Sequence, residues 1–209
     1  MKKLLEQDFT YHYNKNKENP VTVVVLQQTT REIYFELIDD DIIVYHTDGI
    51  AKYENQIEQN VYLINYENFI NSLPPRVKNN FKEVCDLIVY TDKCFLLNEL
   101  TDTHCDYIPK KRIKAQSQLL QTLHDLMAVE HIQRFINSHF IRHCCFFNKQ
   151  TFAPSSPLII NGRKEKLSVT NVFNKQNTYS NGLQIPNSYI EALGFEYWEF
   201  SGSQTYLLK

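Results

Sequence analysis

Two acids hold informative positions in this 209-residue chain. Asp86 stands near the start of the apolar run Val84 to Tyr90 (VCDLIVY), and Glu99 near the end of a second, Cys94 to Leu100 (CFLLNEL). Thr91-Asp92-Lys93 separates the runs, so the pattern predicts a β-hairpin. In a tight hairpin the start of one strand lies beside the end of the next. Both carboxylates are therefore expected at one end of the hairpin, close enough to share a divalent cation. Two carboxylates, a backbone carbonyl and waters form the donor set that Mg²⁺ prefers. Such a metal would polarise a phosphate and lower the pKa of a bound water. Taken singly, each acid also has an ordinary reading, Asp86 as a local cap or partner at a strand start and Glu99 as an exposed strand end.

The elements that must position these acids follow from periodicity. Tyr66 to Leu73 carries Phe69, Ile70 and Leu73 at helical spacing, and Pro74-Pro75 ends that helix. Lys110 to Ala128 is the clearest helix, with Ile113, Gln116, Leu120, Leu123 and Met127 on one flank and Leu119 and Leu126 broadening the stripe. Pro109 sits at its first turn, where a missing N–H costs nothing. The helix is expected to continue through His131 to Phe140. Ile141 to Phe147 (IRHCCFF) is a strand. Upstream, Tyr13 to Pro20 is a polar loop and Val21 to Leu26 a short strand. Glu32 to Ile38 is a half-buried strand with Ile33, Phe35 and Leu37 on one face. Asp39 to Asp41 turn, Ile42 to His46 is a third strand, and Thr47-Asp48-Gly49 turns again. The first ~50 residues thus read as an antiparallel meander. The last 60 residues of the chain hold short strands and loops.

The order helix, strand, turn, strand, long helix, strand resembles the PD-(D/E)XK nuclease-like superfamily over roughly Tyr66 to Phe147. The residues concerned are Cys85-Asp86-Leu87-Ile88-Val89-Tyr90 and Phe95-Leu96-Leu97-Asn98-Glu99-Leu100-Thr101. In that family an Asp and an (Asp/Glu)-x-Lys stand at the ends of adjacent strands, followed by a helix with a polar residue facing the site. The resemblance implies that Asp86 and Glu99 ligate Mg²⁺ or Mn²⁺ with help from the Leu100 carbonyl, and that Gln118 orients water or phosphate. The family lysine falls at Thr101, which carries no charge. Lys114, one helical turn before Gln118, is the best-placed substitute.

Other clusters carry less. His139 and His143 are four apart, but a β-type run begins at Ile141, so a helix ends between them. His104 and Cys105 lie in a polar loop with no orienting partner. Lys110-Lys111-Arg112-Lys114 is a basic run, either a solvated helix face or, beside a metal, an attractor of phosphate. Phe195, Tyr197, Trp198, Phe200 and Tyr206 offer rings that could stack bases, but their alternation with Glu196 and Glu199 better suits sheet packing or a protein interface.

Composition limits the alternatives. A net charge of −2 excludes a polycation that coats nucleic acid, so any such site is a local patch. The five glycines (49, 162, 182, 194 and 202) make no G-x-G-x-x-G, P-loop or G-x-S-x-G. Five cysteines with no C-x-x-C pair read as buried thiols in a reducing cytosol. Glu6, Gln7 and Asp8 interrupt the apolar start that a signal peptide needs, and no stretch approaches the ~18 apolar residues of a membrane span.

The expected fold is α/β: a PD-(D/E)XK-like core, a mixed sheet flanked by helices, with an N-terminal antiparallel β meander and a β-rich C-terminal extension. Residues 1–62 form the meander, 63–150 the core and 151–209 the extension, packed as one globular unit. The expected function is metal-dependent phosphodiester cleavage of nucleic acid, in defence or repair-like processing. Its rival is a catalytically inactive nuclease-fold scaffold that binds a protein partner, another copy of itself or nucleic acid. A cytoplasmic, non-membrane protein is expected in either case.

Overall fold

The computed structural model describes residues 1–15, 18–38, 49–103, 107–149, 158–160, 163–165, 182–202 and 204–209. The expected strand at 42–46 with the turn residues Thr47 and Asp48, and the pair His104 and Cys105, lie outside them.

The hairpin forms as its pattern predicts. β4 (Val61–Asn65), β5 (Leu87–Tyr90) and β6 (Cys94–Thr101) run antiparallel in turn. The Thr91 hydroxyl accepts the N–H groups of Lys93 and Cys94 at 3.2 and 3.1 Å and closes the turn. β7 (Ile141–Asn148) then lies parallel to β6, and β11 (Glu196–Ser201) parallel to β7. β1 (Gln27–Thr30) adds to the β4 edge and β10 (Leu183–Gln184) to the β11 edge. Among the described residues this makes a mixed seven-stranded sheet, ordered β1-β4-β5-β6-β7-β11-β10.

Helices cover one face. α5 (Ile108–Met127) connects the parallel pair β6 and β7 and packs on both. Its buried stripe is Ala115, Gln118, Leu119, Thr122, Leu123 and Leu126. Ile113, expected on that stripe, is instead 70% exposed, so the buried face is rotated away from it. The helix does not continue into the next segment. Val129 leaves helical geometry at φ −99° and ψ 108°, and α6 (Glu130–Asn137) starts afresh. α3 (Tyr66–Ser72) is capped by the Asn65 side chain, which accepts the Asn68 N–H at 2.8 Å. Pro75 occupies the first turn of α4 (Pro75–Lys78).

A helical stretch at the N-terminus was not among the expected elements. α1 (Lys2–Leu4), a π-helical segment (Leu5–Phe9) and α2 (Thr10–Tyr13) follow one another with helical junctions. Leu5 and Phe9, four apart, are completely buried beneath them. Val21 to Leu26 does not join a strand ladder; β1 begins immediately after it. The reason is local: the Val25 N–H is taken by the Glu6 carboxylate at 2.9 Å, while Val24 and Leu26 are exposed.

The opposite face carries a second sheet, β12 (Tyr206–Leu207), β3 (Ala51–Glu54) and β2 (Tyr34–Leu37). β1 pairs with β4 rather than with β2, so the early strands divide between two sheets. Phe35, Tyr53 and Tyr206 pack there against Leu96, Phe147 and Phe200. A separate pair, β8 (Leu158–Ile160) and β9 (Arg163–Glu165), is antiparallel. Among the described residues no helix is long and apolar enough to cross a membrane.

Candidate functional site

Asp86 immediately precedes β5 and is held by backbone on both sides. Its carbonyl accepts the N–H groups of Tyr66 and Glu67 at 2.8 and 3.2 Å, at the start of α3. Its own N–H donates to the Asn98 carbonyl at 3.1 Å. Its Oδ2 accepts the Leu100 N–H at 2.6 Å. The two anchor points on β6 therefore flank Glu99. β5 begins only at Leu87, and the Asp86 side chain takes the ladder bond that Leu100 would otherwise lack.

Alternation along β6 sets where Glu99 points. Leu97 lies in the core beneath α5, so Glu99 and Thr101 share that face. Asn98 faces the other way and accepts the Tyr53 hydroxyl at 2.8 Å. Asp86 and Glu99 are 6% and 8% exposed. Both reach the neighbourhood of the Cys85 thiol, whose pKa is raised well above its ordinary value by burial first, then by the charges of Asp86 and Glu99. In an extended strand a residue's N–H and C=O project to the same side. The Leu100 carbonyl accordingly faces the side on which its N–H meets Asp86. Asp86, Glu99 and Leu100 thus lie close in register where β6 extends past the start of β5.

α5 is laid along the segment before Asp86 by three side chains. Ser117 donates to the Glu83 carboxylate, Gln118 Nε2 to the Val84 carbonyl at 2.9 Å, and Thr122 Oγ1 accepts the Cys85 N–H at 2.9 Å. Gln118 is 9% exposed, and its Oε1 is buried without a hydrogen bond. Lys114, one turn earlier, is exposed. Thr101 is buried two residues after Glu99, beside Asn148 of β7. Neither polar atom of the Asn148 amide has a hydrogen-bond partner, although the residue is 1% exposed.

Glu199 is a further buried carboxylate on this face that the strand pattern alone does not single out. Register aligns Glu99 with Phe146 and Phe146 with Glu199, so Glu199 sits two strands over on the same face, roughly 10 Å away by inter-strand spacing. Arg112 Nε meets both Glu199 oxygens at 2.6 and 2.8 Å, and the Tyr197 hydroxyl donates to the same carboxylate at 2.9 Å. The Glu199 bond raises the Arg112 pKa. Burial and then Glu199 raise that of Tyr197. Of the basic run, Arg112 is therefore engaged internally, and Lys110, Lys111 and Lys114 are exposed. The alternation of Tyr197 and Glu199 in the sequence carried the clue that they share a face.

His139 and His143 share no helix, although the helix ends at Asn137, before His139 rather than between the two, and His143 lies within β7. The C-terminal aromatics are mostly core, with Phe195, Tyr197, Phe200 and Tyr206 all buried. Among the described residues no group of three or more His, Cys, Asp or Glu is placed to hold a metal ion, so a cation here would rest on the acid pair and backbone oxygen. No protein-family model matches this chain, and no curated protein or solved structure is significantly similar to it.

Proposed function

We propose that this chain is a PD-(D/E)XK-like protein that cleaves nucleic-acid phosphodiesters with a divalent metal, in defence or repair-like processing. The observation that supports the reading is the anchoring of the Asp86 carboxylate on the Leu100 N–H, one residue along β6 from Glu99. The succession of antiparallel hairpin, crossover helix and parallel strand supports the same core. The donor set of Asp86, Glu99 and the Leu100 carbonyl suits Mg²⁺ or Mn²⁺, which accept oxygen ligands and retain waters. Bound there, the cation would supply Lewis acidity toward a phosphate and a more acidic water. Asp86 and Glu99 hold it. Gln118 offers a buried amide oxygen to orient water or phosphate. Lys114 brings positive charge from the exposed side of α5, in place of the lysine absent at Thr101. Four described cysteines, all buried and free, support a reducing cytoplasm.

The test is cleavage of DNA and RNA with Mg²⁺ and with Mn²⁺. Wild type is expected to cut in a metal-dependent way and Glu99→Gln to lose the activity. One observation favours a second reading, a non-catalytic nuclease-fold subunit that binds protein, nucleic acid or another copy of itself. Thr101 is buried and uncharged where the family places its lysine. On that reading neither protein cuts, while binding to nucleic acid or to a partner persists in Glu99→Gln.

A further inference from the structure

On the sheet face opposite the acid pair, a cavity of about 270 Å³ lies between β7, β11 and the segment containing β12. Its walls include His143, Trp198, Phe200 and Tyr206, with Ile141 at one end. Three observations distinguish it from an ordinary packing gap. First, the walls are aromatic and near-parallel. His143 lies against Trp198 at 5.4 Å between centroids and 27° between planes, and Trp198 neighbours Phe200 at 6.4 Å and 24°. Second, the rings are locked. Glu196 Oε2 accepts the Trp198 indole N–H at 2.9 Å and meets His143 Nε2 at 3.1 Å, while His143 Nδ1 meets the Tyr206 hydroxyl at 2.8 Å. Rigid walls remove much of the ordering cost of binding. Third, Lys209 is the one Lys or Arg among the described lining residues.

The volume lies just under the range of drug-sized pockets, which suits a ligand of one or two fused rings. Aromatic faces stack nucleobases with little regard to sequence. The single lysine favours an anionic substituent. We propose that this cavity binds the base of a nucleoside 5′-monophosphate, with the phosphate directed toward Lys209. The site is separate from the acid pair and does not depend on the nuclease reading.

Trp198 is the only tryptophan in the chain, so its fluorescence reports the cavity directly. The experiment titrates wild type with adenosine, guanosine, cytidine and uridine 5′-monophosphates, each to millimolar concentration, following Trp198 emission. A saturable change with at least one nucleotide is expected. His143→Ala, which removes a wall, and Ile141→Phe, which fills the cavity, should each weaken it by about tenfold or more. Glu99→Gln, on the opposite face, should leave it unchanged. Circular dichroism establishes that each variant is folded. If His143→Ala does not fold, Ile141→Phe and saturation-transfer NMR on wild type carry the decision. No saturable response to any of the four nucleotides overturns the proposal. So does binding that survives in both folded cavity variants, or binding that disappears in Glu99→Gln.

Discussion

The Asp86 carboxylate receives the Leu100 N–H at 2.6 Å. This one contact joins the start of β5 to the end of β6. It gives Asp86 two roles, acceptor for a buried backbone donor and candidate metal ligand, and the two can be separated by substitution. Asp86→Asn keeps a carbonyl oxygen for Leu100 and should cost well under the ~1–3 kcal/mol expected when Asp86→Ala strands that N–H. Urea denaturation measures both. Equal losses for the two variants would show that the Leu100 bond is not what makes Asp86 stabilising. If the proposed function holds, Asn at this position also removes the charge a cation needs, so cleavage should fail although the fold is retained.

Arg112, half-exposed, and the buried Glu199 form an ion pair on the same face. Arg112→Ala leaves Glu199 with the Tyr197 hydroxyl alone and should destabilise by about 2 kcal/mol, given the partial exposure of the arginine. Adding Glu199→Gln should recover part of that loss, because the stranded charge is removed. A double variant less stable than the sum of the singles would contradict the pairing.

Asp125 provides a test in pH. Burial raises its carboxyl to about 6, opposed by the Gln121 side-chain bond. The folded state thus holds this proton more tightly than the unfolded chain, whose Asp titrates near ~3.9. Stability therefore falls as pH rises from about 4 to about 6 through this group, and the cost is fully present above the folded pKa. Asp125→Asn should stabilise the protein at pH 7 to 8 by on the order of 1 kcal/mol, allowing for partial solvent screening. Thermal melting across pH 4 to 8 checks it; an unchanged pH profile in the variant would remove Asp125 from the account.

Phe9 tests the N-terminal helix. Its ring stacks with Phe81 at 5.2 Å and packs edge-on against Phe69. Phe9→Ala should cost about 3–5 kcal/mol if the helix is integral to the core. A loss below ~1 kcal/mol would mark it as peripheral.

What the sequence disclosed depended on local regularity. The β5–β6 hairpin, α3, α5 and β7 all have strong periodicity with turn or proline boundaries, and each forms within a few residues of its expected span. The N-terminal helix was obscured because Glu6, Gln7 and Asp8 dilute its short apolar stripe, and only packing against Phe69 and Phe81 reveals why Leu5 and Phe9 are buried. Val21 to Leu26 has strand composition, yet a side chain, Glu6, satisfies its central amide. That the segment of Asp86 meets the end of β6 was readable from hairpin geometry. The Arg112–Glu199 pair was not, because it joins residues 87 positions apart and depends on β11 docking parallel to β7.

The missing lysine has its own test. Lys114→Ala should abolish cleavage while moving stability by no more than ~0.5 kcal/mol, as expected at an exposed helix position. Thr101→Lys should be tolerated or mildly activating if Lys114 already supplies the charge; a gain of ~10²–10³ in rate would instead show that no other group supplies it. Undiminished cutting by Lys114→Ala would exclude that residue from the mechanism.

The most direct test of the central claim is a cleavage assay on DNA and RNA substrates with Mg²⁺, with Mn²⁺ and with chelator, comparing wild type, Glu99→Gln and Thr101→Lys. The acid-pair account predicts metal-dependent cutting by wild type, its loss in Glu99→Gln, and retained or increased cutting in Thr101→Lys. Folded wild type and Thr101→Lys that both leave every substrate intact with either metal, or a Glu99→Gln that cuts as well as wild type, would contradict it.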